Sequence, residues 1–288
     1  MVPYREVSVV IPAFNEEESI AELVARVRAV SGDFEVIVCS DGSSDRTAEL
    51  ARKAGAVVVE HPYNIGNGAA VKSGALKASR EYIVFMDADL QHQPEDIPKL
   101  LEHIPTYDMV VAARTKESKT DLQRNIGNLI LIHLAQSISG HQIDDLTSGF
   151  RAVKKSILLK FMHLYPLSYS YPTTSTLAFF SAGYFVKYVP MPTIVRRTQG
   201  QSNIKPFRDG MKFLHIIFRV IMTFHPQKIF LPSFLLLMTL GIAISTYQLV
   251  SGGAIQSSGI ILLVSAVMIF LNGMLAEQIA QLRRDMNR

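Results

Sequence analysis

Residues Tyr82–Gln91 read YIVFMDADLQ, an apolar run that stops at two carboxylates one residue apart. A short run of this kind is typical of a strand buried on both faces of a parallel sheet. If the backbone stays extended, Asp87, Asp89 and Gln91 point to the same side, because side chains alternate along a strand. Oxygen ligands suit a hard divalent cation such as Mg²⁺ or Mn²⁺, and open α/β sheets bind ligands at the carboxyl edge of their strands. The motif therefore predicts a metal site that carries a diphosphate, and hence a nucleotide. The alternative is that Asp87 and Asp89 only cap a turn.

The first 115 residues alternate between strand and helix patterns. The predicted strands are Val7–Ile11, Phe34–Ser40, Ala56–Glu60, Tyr82–Met86 and Asp108–Ala112. Helical patterns lie between them, near Glu16–Val30, Ser44–Ala54, Asn67–Ala78 and Glu95–His103. This alternation predicts an α/β fold with a Rossmann-like, mostly parallel sheet wrapped by helices. A longer apolar helix is predicted over Leu122–Ile138, followed by a loop and a mixed α/β segment to about Arg197.

Three further loops at predicted strand ends carry ligand-type groups. The first strand runs into Phe14 and Glu16, a ring and a carboxylate suited to a nucleobase and a ribose. The second runs into Asp41, which is placed to accept hydrogen bonds from a base or a ribose. The third runs into Asn64–Gly68, a loop with two glycines whose backbone amides suit an anion, although a plain tight turn fits it equally. Ligand-type residues at four consecutive strand ends are stronger evidence than any one motif.

The C-terminal part has the composition of a membrane hairpin. No charged residue occurs from Ile229 to Ala276, a span long enough for two transmembrane helices of ~20 residues each. They are predicted over Ile229–Val250 and Ala254–Ala276. The pair is flanked by Lys228, Arg283, Arg284 and Arg288, and the connecting loop has no basic residue. Both flanks and the N-terminal domain are therefore predicted to be cytoplasmic. A buried helical hairpin of a soluble protein is the alternative.

A basic helix face precedes the hairpin. Within Pro206–Phe224, basic residues recur at spacings of four, three and four, namely Arg208, Lys212, His215 and Arg219. This spacing predicts an amphipathic helix on the membrane surface, with an ordinary domain helix as the alternative. The predicted organisation is a cytoplasmic α/β domain over residues 1–205, an interface helix over 206–227 and a transmembrane hairpin over 228–288.

The composition indicates which classes of ligand and which cellular compartment suit this chain. The 288 residues are 48% hydrophobic and carry a formal net charge of +4, which does not indicate nucleic-acid binding and suits anionic lipid and phosphate ligands better. The single cysteine, Cys39, cannot form an intrachain disulfide, fits a reducing compartment and lies in a strand pattern typical of a core. No signal-peptide pattern precedes Val7, as expected for a cytoplasmic domain.

Four of these stretches together resemble family 2 glycosyltransferases of the GT-A fold: Pro12–Glu16, Asp41–Asp45, Asn64–Gly68 and Asp87–Gln91. Thr147–Arg151 (TSGFR) and Gly200–Ser202 (GQS) narrow the resemblance to the polyisoprenyl-phosphate sugar synthases. That group contains dolichyl-phosphate mannose synthase and the undecaprenyl-phosphate sugar transferases. The resemblance covers essentially residues 7–225. It implies a GT-A catalytic domain followed by an interfacial helix and two transmembrane helices.

The resemblance also implies a role for each matching residue. Contacts to the nucleoside are implied for Pro12, Phe14, Glu16 and Asp41. Binding of the metal, Mg²⁺ or Mn²⁺, and of the diphosphate is implied for Asp87, Asp89 and Gln91. Binding of the acceptor phosphate is implied for Arg114, Arg124 and Asn128, and a loop that closes over the donor would contain Arg197 and Ser202. Catalysis would rest on Asp89, Arg114 and Arg124.

The implied reaction moves a sugar from a GDP- or UDP-sugar to dolichyl or undecaprenyl phosphate, for glycan or glycoprotein assembly. A lipid phosphate needs no general base, because its second pKa is about 6, so arginines would position it and a single displacement would invert the anomeric centre. Two alternatives remain: a non-processive transferase with a sugar or glycolipid acceptor, and a catalytically silent membrane scaffold. Processive family 2 synthases typically carry Gln-x-x-Arg-Trp, and this chain contains no tryptophan.

The sequence departs from the resemblance at two places. Asn203 stands where the late loop usually has lysine, with Lys205 two residues further on, so the resemblance does not identify the residue of this loop that contacts a phosphate. Many relatives carry a glutamate in the helix after the TSGFR stretch, and Tyr171–Thr176 has none. Selection of the sugar or the acceptor is therefore expected to differ. Two spans per chain are few to shelter a long lipid, which favours homo-oligomers in the membrane.

Overall fold

In this computed structural model of the protein, the described residues are 2–114, 136, 140–167, 171–191, 206–251 and 257–286, without the side chains of 206–213 and 284–286. Within them, one seven-stranded sheet has the order β3-β2-β1-β4-β6-β5-β7. The strands are β1 (Val7–Ala13), β2 (Glu35–Ser40), β3 (Val57–Glu60), β4 (Tyr82–Phe85), β5 (Met109–Arg114), β6 (Arg151–Lys154) and β7 (Val186–Met191). The predicted mostly parallel sheet is confirmed. Only β6 runs antiparallel to its neighbours β4 and β5.

Helices cover the sheet and connect its parallel strands. They are α1 (Ile20–Val30), α2 (Thr47–Lys53), α3 (Asn67–Lys77), α4 (Ile97–Leu101), α5 (Lys155–Phe161) and α6 (Tyr171–Ser181). All seven residues of β1 are buried, as expected for a strand covered on both faces. The helix α1 buries Ile20, Leu23, Val24 and Val27, whose spacing forms one apolar stripe. Cys39 is fully buried, so its assignment to the core is correct.

Element boundaries differ from the predicted ones at two functional loops. The first helix begins at Ile20 rather than Glu16, because the backbone amide of Glu16 donates to the side chain of Thr47 instead of entering a helix. The strand β4 ends at Phe85, so the backbone does not stay extended through Gln91. Most of the predicted helix Leu122–Ile138 lies outside the described residues.

The chain divides into two compact units, Met1–Leu214 and His215–Arg288. This division falls within the predicted interface helix, which is present as α7 (Pro206–Phe224), with His215 and Arg219 exposed. The domain boundaries given above stay a prediction.

The second unit contains an apolar helical hairpin, formed by α8 (Gln227–Val250) and α9 (Ser257–Met286). The two helices pack closely, because a Cβ on Gly241 would meet the side chain of Leu263 at 2.9 Å and the rings of Phe234 and Phe270 lie 5.1 Å apart. Gln227–Val250 and Ser257–Arg283 are long and apolar enough to cross a membrane, and few of their residues are buried. The second helix continues ten residues beyond the predicted end at Ala276.

Candidate active site

The carboxyl ends of four neighbouring strands place the predicted loops at one edge of the sheet. In the order β3-β2-β1-β4, each of these strands lies beside the next. Backbone hydrogen bonds join the loops where they leave the sheet: Asp41 N to Ala13 O at 2.9 Å, His61 N to Ser40 O at 2.9 Å and Met86 N to Val10 O at 3.2 Å. The nucleotide-type and acidic motifs therefore share one edge.

The loop after β1 is fixed to the loop after β2 by bonds between side chains and backbone. Asn15 has a positive φ of 54°, and its Oδ1 accepts a hydrogen bond from Ser44 N at 2.9 Å. Glu16 N donates to Thr47 Oγ1 at 2.8 Å. These bonds present the ring of Phe14, which is 47% exposed, at the edge of the sheet. An aromatic ring held at a ligand-binding edge is suited to stacking against a base.

Asp41 is buried beneath this edge, and Pro12 is buried within β1. The carboxylate of Asp41 accepts hydrogen bonds from Ile65 N at 3.1 Å and from Gly66 N at 2.7 Å. His61 Nδ1 also lies 2.6 Å from Asp41 Oδ1. The glycine-bearing loop thus turns its amides toward Asp41, whereas the sequence suggested that they meet an anionic ligand.

The acidic motif stands on a turn and not on a strand. Because β4 ends at Phe85, the expectation that Asp87, Asp89 and Gln91 alternate along an extended backbone is wrong. Leu90 has a positive φ of 58°, and Gln91 N donates to Asp89 Oδ1 at 3.1 Å. The turn bond expected if the aspartates only cap a turn is therefore present, and Asp87 and Asp89 are both half-buried residues.

The carboxylate of Asp87 sits in surroundings that disfavour its charge. Burial raises the pKa of Asp87; His92 lowers it, Asp89 raises it and Arg151 lowers it. Two neighbouring carboxylates at a partly buried edge are a donor set that a hard divalent cation stabilises. No cluster of three or more His, Cys, Asp or Glu side chains that could hold a metal occurs among the described residues. A cation at this edge would therefore take further oxygen ligands from Gln91, from water or from a diphosphate.

The loop before β6 lies directly on Asp87. A Cβ built on Gly149 would come within 2.7 Å of Asp87 Oδ2, so only glycine allows the backbone to approach the carboxylate this closely. Tyr171 Oη donates to Gly149 O at 3.0 Å and fixes the loop from the side of α6. Gly149 was not among the predicted site residues, although the TSGFR stretch that contains it was a signal for this position.

Arg151 is a buried cation behind this loop. It is 1% exposed, and its guanidinium donates to Pro172 O at 3.0 Å, to Thr176 Oγ1 at 3.1 Å and to Ser148 O. All of these acceptors are neutral, and Arg151 acts electrostatically on Asp87. The first residues of α6 include no glutamate, and they offer Arg151 a carbonyl and a hydroxyl group instead. Relatives are expected to carry a carboxylate in this helix.

Arg114 is paired with a carboxylate that the sequence did not single out. Arg114 Nε and Nη2 donate to Asp145 Oδ2 and Oδ1 at 2.7 and 3.0 Å, and Asp145 also accepts from Thr147 N and Ser148 N. Burial raises the pKa of Asp145, but the hydrogen bond and charge of Arg114 outweigh it, so the pKa lies below its usual range. The guanidinium of Arg114, at the end of β5, is therefore oriented by the buried carboxylate of Asp145.

Several predicted site residues belong to segments outside the described part of the chain. Arg124 and Asn128, implied for the acceptor phosphate, and Arg197 and Ser202, implied for the closing loop, lie outside the described residues. Asn203 and Lys205 of the late loop lie outside them as well. The described site therefore contains the nucleoside-type loops, the acidic turn and Arg114.

Two family models match this chain. The description "Glycosyl transferase family 2" matches residues 8–161, which is more than half of the chain, and "GtrB C-terminal hairpin" matches residues 225–282. The chain belongs to glycosyl transferase family 2. The predicted family and the predicted transferase class are confirmed, and the second match coincides with the hairpin of α8 and α9.

Curated relatives agree with this membership. A dolichyl-phosphate hexose transferase of Haloferax volcanii is 32% identical over 212 residues, which are 72% of this chain and 90% of the relative. An undecaprenyl-phosphate 4-deoxy-4-formamido-L-arabinose transferase of Pectobacterium carotovorum is 32% identical over 57% of this chain and 53% of the relative. This family 2 chain thus spans nearly the whole of the first relative and about half of the second.

Solved structures confirm the GT-A-like fold. Glucosyl-3-phosphoglycerate synthase from Mycobacterium tuberculosis, in complex with phosphoglyceric acid, superposes with a TM-score of 0.61 at 20% identity, covering 74% of this chain and 79% of that chain. The same synthase with Mn²⁺, uridine diphosphate and phosphoglyceric acid gives a TM-score of 0.59 at 21% identity, covering 75% and 77%. That neighbour was crystallised in complex with both a divalent cation and a nucleoside diphosphate.

Replacing Gly149 by alanine should damage this family 2 site more than the fold. The new Cβ would push the Asp87 carboxylate aside, because it would approach Oδ2 within 2.7 Å. A misplacement of a catalytic group by about 1 Å can cost ~10²-fold in rate. We therefore expect a comparable fall in sugar transfer with little change in thermal stability. Gly32→Ala is the matched control, because nothing lies within 4 Å of a Cβ at Gly32. Equal activities of the two variants would contradict the role given to Gly149.

Proposed function

We propose that this chain transfers a sugar from a nucleotide-sugar to a polyisoprenyl phosphate, with inversion at the anomeric carbon. The observation that carries the proposal is the pairing of an acidic sheet edge, Asp87 and Asp89, with an apolar hairpin in one chain. A sugar nucleotide is soluble and a polyisoprenyl phosphate is held in the membrane, so an enzyme that joins them needs both parts. The two curated relatives are named for lipid phosphates of this class.

The donor would bind along the edge formed by β2, β1 and β4. Phe14 and Asp41 would contact the nucleoside, with Pro12 and Glu16 beside them. Asp87, Asp89 and Gln91 would hold a Mg²⁺ or Mn²⁺ ion, whose chemistry is to neutralise the charge that develops on a departing nucleoside diphosphate. The turn at Leu90 and the close approach of Gly149 would hold these carboxylates in place for the donor.

The acceptor phosphate would be positioned by arginines and not activated by a base. A phosphate monoester with a second pKa of about 6 is largely dianionic at pH 7 and is already a nucleophile. Asp145 is a buried carboxylate that accepts hydrogen bonds from the guanidinium of Arg114 and from three backbone amides, those of Arg114, Thr147 and Ser148. It is therefore a holder of Arg114 and a poor proton acceptor, while Arg114 offers a charged, planar donor.

The orientation and assembly of the chain belong to the same proposal. Basic residues flank the hairpin on both sides, which supports a cytoplasmic position for the catalytic domain and both flanks. The helix α7 would lie at the membrane surface, and its exposed His215 and Arg219 would face lipid headgroups. Association into homo-oligomers would enlarge the apolar surface that shelters the lipid chain.

A transfer assay on the detergent-solubilised full chain tests the proposed function. UDP- and GDP-sugars would be offered with Mg²⁺ or Mn²⁺, with and without a polyisoprenyl phosphate. We expect a labelled, acid-labile lipid product that appears only with the lipid phosphate. Donor hydrolysis without a lipid product would indicate that the acceptor is a sugar or a glycolipid. Failure to bind any donor would indicate a catalytically silent scaffold.

A further inference from the structure

The carboxylate of Asp41 has little acceptor capacity left for a ligand. Its Oδ1 accepts hydrogen bonds from His61 Nδ1 at 2.6 Å and from Ile65 N at 3.1 Å, and its Oδ2 accepts one from Gly66 N at 2.7 Å. A carboxylate offers about four lone-pair positions. Among the described residues these three donors leave one position, and it lies on Oδ2. The side chain is 3% exposed, so only a small part of it is accessible to a ligand.

A second hydrogen bond, to Ser73, fixes the ring of His61 in place. An ionised carboxylate can only accept, so His61 Nδ1 carries the proton that it shares with Asp41. The other ring nitrogen, Nε2, lies 2.8 Å from Ser73 Oγ on α3 and accepts that hydroxyl when the ring is neutral. His61 is 9% exposed at its side chain. The ring therefore cannot turn away from Asp41 without breaking two buried hydrogen bonds.

The two backbone donors are held as firmly. Gly42 has a φ of 67°, and a Cβ there would overlap the backbone of Tyr63 and Asn64. The loop that carries Ile65 and Gly66 thus rests against the backbone next to Asp41. Neither amide can withdraw to open a second acceptor position, because the whole loop would have to lift away from Gly42.

We propose that the nucleobase recognised by Asp41 is uracil and that His61 is the positioning residue that enforces this choice. This inference rests on the proposed function, in which Asp41 contacts the nucleoside of the donor. Uracil offers one imide donor, N3–H, which matches the single position on Oδ2. Guanine presents N1–H and N2–H side by side and needs an acceptor position on each carboxylate oxygen.

The cost of guanine follows from the occupied Oδ1. Both of its positions are taken, by His61 and by Ile65. One guanine N–H would lose its water on binding without gaining an acceptor, and a buried donor left unpaired weakens binding by about 10- to 100-fold. Removing the donor on His61 would release one position on Oδ1 and let the carboxylate accept both guanine donors.

Nucleotide binding to the full chain in detergent, measured by calorimetry, tests this inference. The probes are UDP, GDP and N3-methyl-UDP, whose methyl group removes the imide donor. We expect the unchanged chain to prefer UDP to GDP by at least about 10-fold and to bind N3-methyl-UDP at least about 10-fold more weakly than UDP. Equal or tighter binding of GDP, or full affinity for N3-methyl-UDP, would overturn the assignment of uracil.

Two variants of His61 separate positioning from a merely structural role. In His61→Asn the side-chain amide can take the place of Nδ1 and still donate to Asp41, whereas in His61→Gln it reaches the place of Nε2 and meets Ser73 instead. We expect His61→Asn to keep the preference for UDP and His61→Gln to lose most of it, chiefly through tighter GDP binding. A structural role would weaken both nucleotides together and leave their ratio unchanged in both variants, which would overturn the role of His61.

The outcomes also separate this inference from the proposed function. UDP preference without lipid-dependent transfer would contradict only the proposed acceptor. Lipid-dependent transfer from a GDP-sugar, with GDP bound more tightly than UDP, would contradict only the assignment of uracil.

Discussion

Replacing Asp89 by asparagine is expected to reduce lipid-dependent sugar transfer by at least about 10²- to 10³-fold. The change keeps the size of the side chain and an oxygen that can still accept the turn bond from Gln91 N. It removes the negative charge that, with Asp87, would attract a divalent cation to the edge of the sheet. The measurement is the initial rate of lipid-linked product formation at saturating donor, together with Mn²⁺ binding by calorimetry.

The control for this variant is Asp33→Asn, the same chemical change at an exposed turn. We expect it to leave both the transfer rate and Mn²⁺ binding unchanged. Thermal unfolding of Asp89→Asn should match that of the unchanged chain, because the turn bond is retained. If Asp89→Asn transfers sugar at more than about a tenth of the normal rate, the role of Asp89 in binding the metal and the diphosphate is contradicted.

The strand and helix pattern of the first domain is strong enough in the sequence to predict the sheet edge. Runs such as Val7–Ile11 and Tyr82–Met86 are buried on both faces of the sheet. Their apolar composition therefore predicts directly that they are inner strands. The order of strands then brings the loops together, since neighbouring parallel strands end at the same edge. The hairpin is equally direct, because a charge-free stretch of that length is typical of two transmembrane helices.

The local geometry of the acidic motif could not be predicted from the same pattern. Alternation of side chains assumes an extended backbone, but β4 ends at Phe85 and a turn follows, in which Leu90 has a positive φ. Leucine gives no local signal for this conformation, which glycine and asparagine adopt far more readily. Tertiary contacts decide the turn, including the loop at Gly149 that lies on Asp87.

Contacts between distant residues account for the rest of what the sequence did not reveal. His61 contacts Asp41 from the next strand and Ser73 from the next helix, and no spacing rule links these three positions. Asp145 lies in the loop predicted after Ile138, but only its contact with Arg114 shows that it fixes a cation. A single sequence gives the residue types of such clusters and not their partners.

Replacing Arg114 by alanine is expected to destabilise the chain by about 2 kcal/mol at neutral pH, which is less than for a fully buried pair because Arg114 is 42% exposed. The buried Asp145 would lose its counter-charge and two of its hydrogen bonds. At saturating donor, the concentration of lipid phosphate needed for half-maximal rate should rise at the same time, because the guanidinium would no longer face the acceptor. Thermal unfolding of the full chain in detergent and the acceptor dependence of transfer measure the two effects.

The dependence on pH identifies Asp145 as the group that Arg114 stabilises. In the unchanged chain the pKa of Asp145 is lowered on folding, so its contribution is complete above the unfolded pKa of about 4 and is lost as the pH falls through the lower folded value. In Arg114→Ala burial alone would raise that pKa, and a protonated Asp145 costs little to bury. The stability difference between the two chains should therefore be largest near neutral pH, start to shrink above about pH 4, where Asp145 of the variant takes up its proton, and keep shrinking until the pH falls through the lower folded pKa of the unchanged chain. Arg114→Ala combined with Asp145→Asn should recover part of the stability at neutral pH without restoring acceptor use, since the double variant removes the unpaired charge but not the need for an arginine. A stability difference that stays constant over this range would place the destabilisation elsewhere.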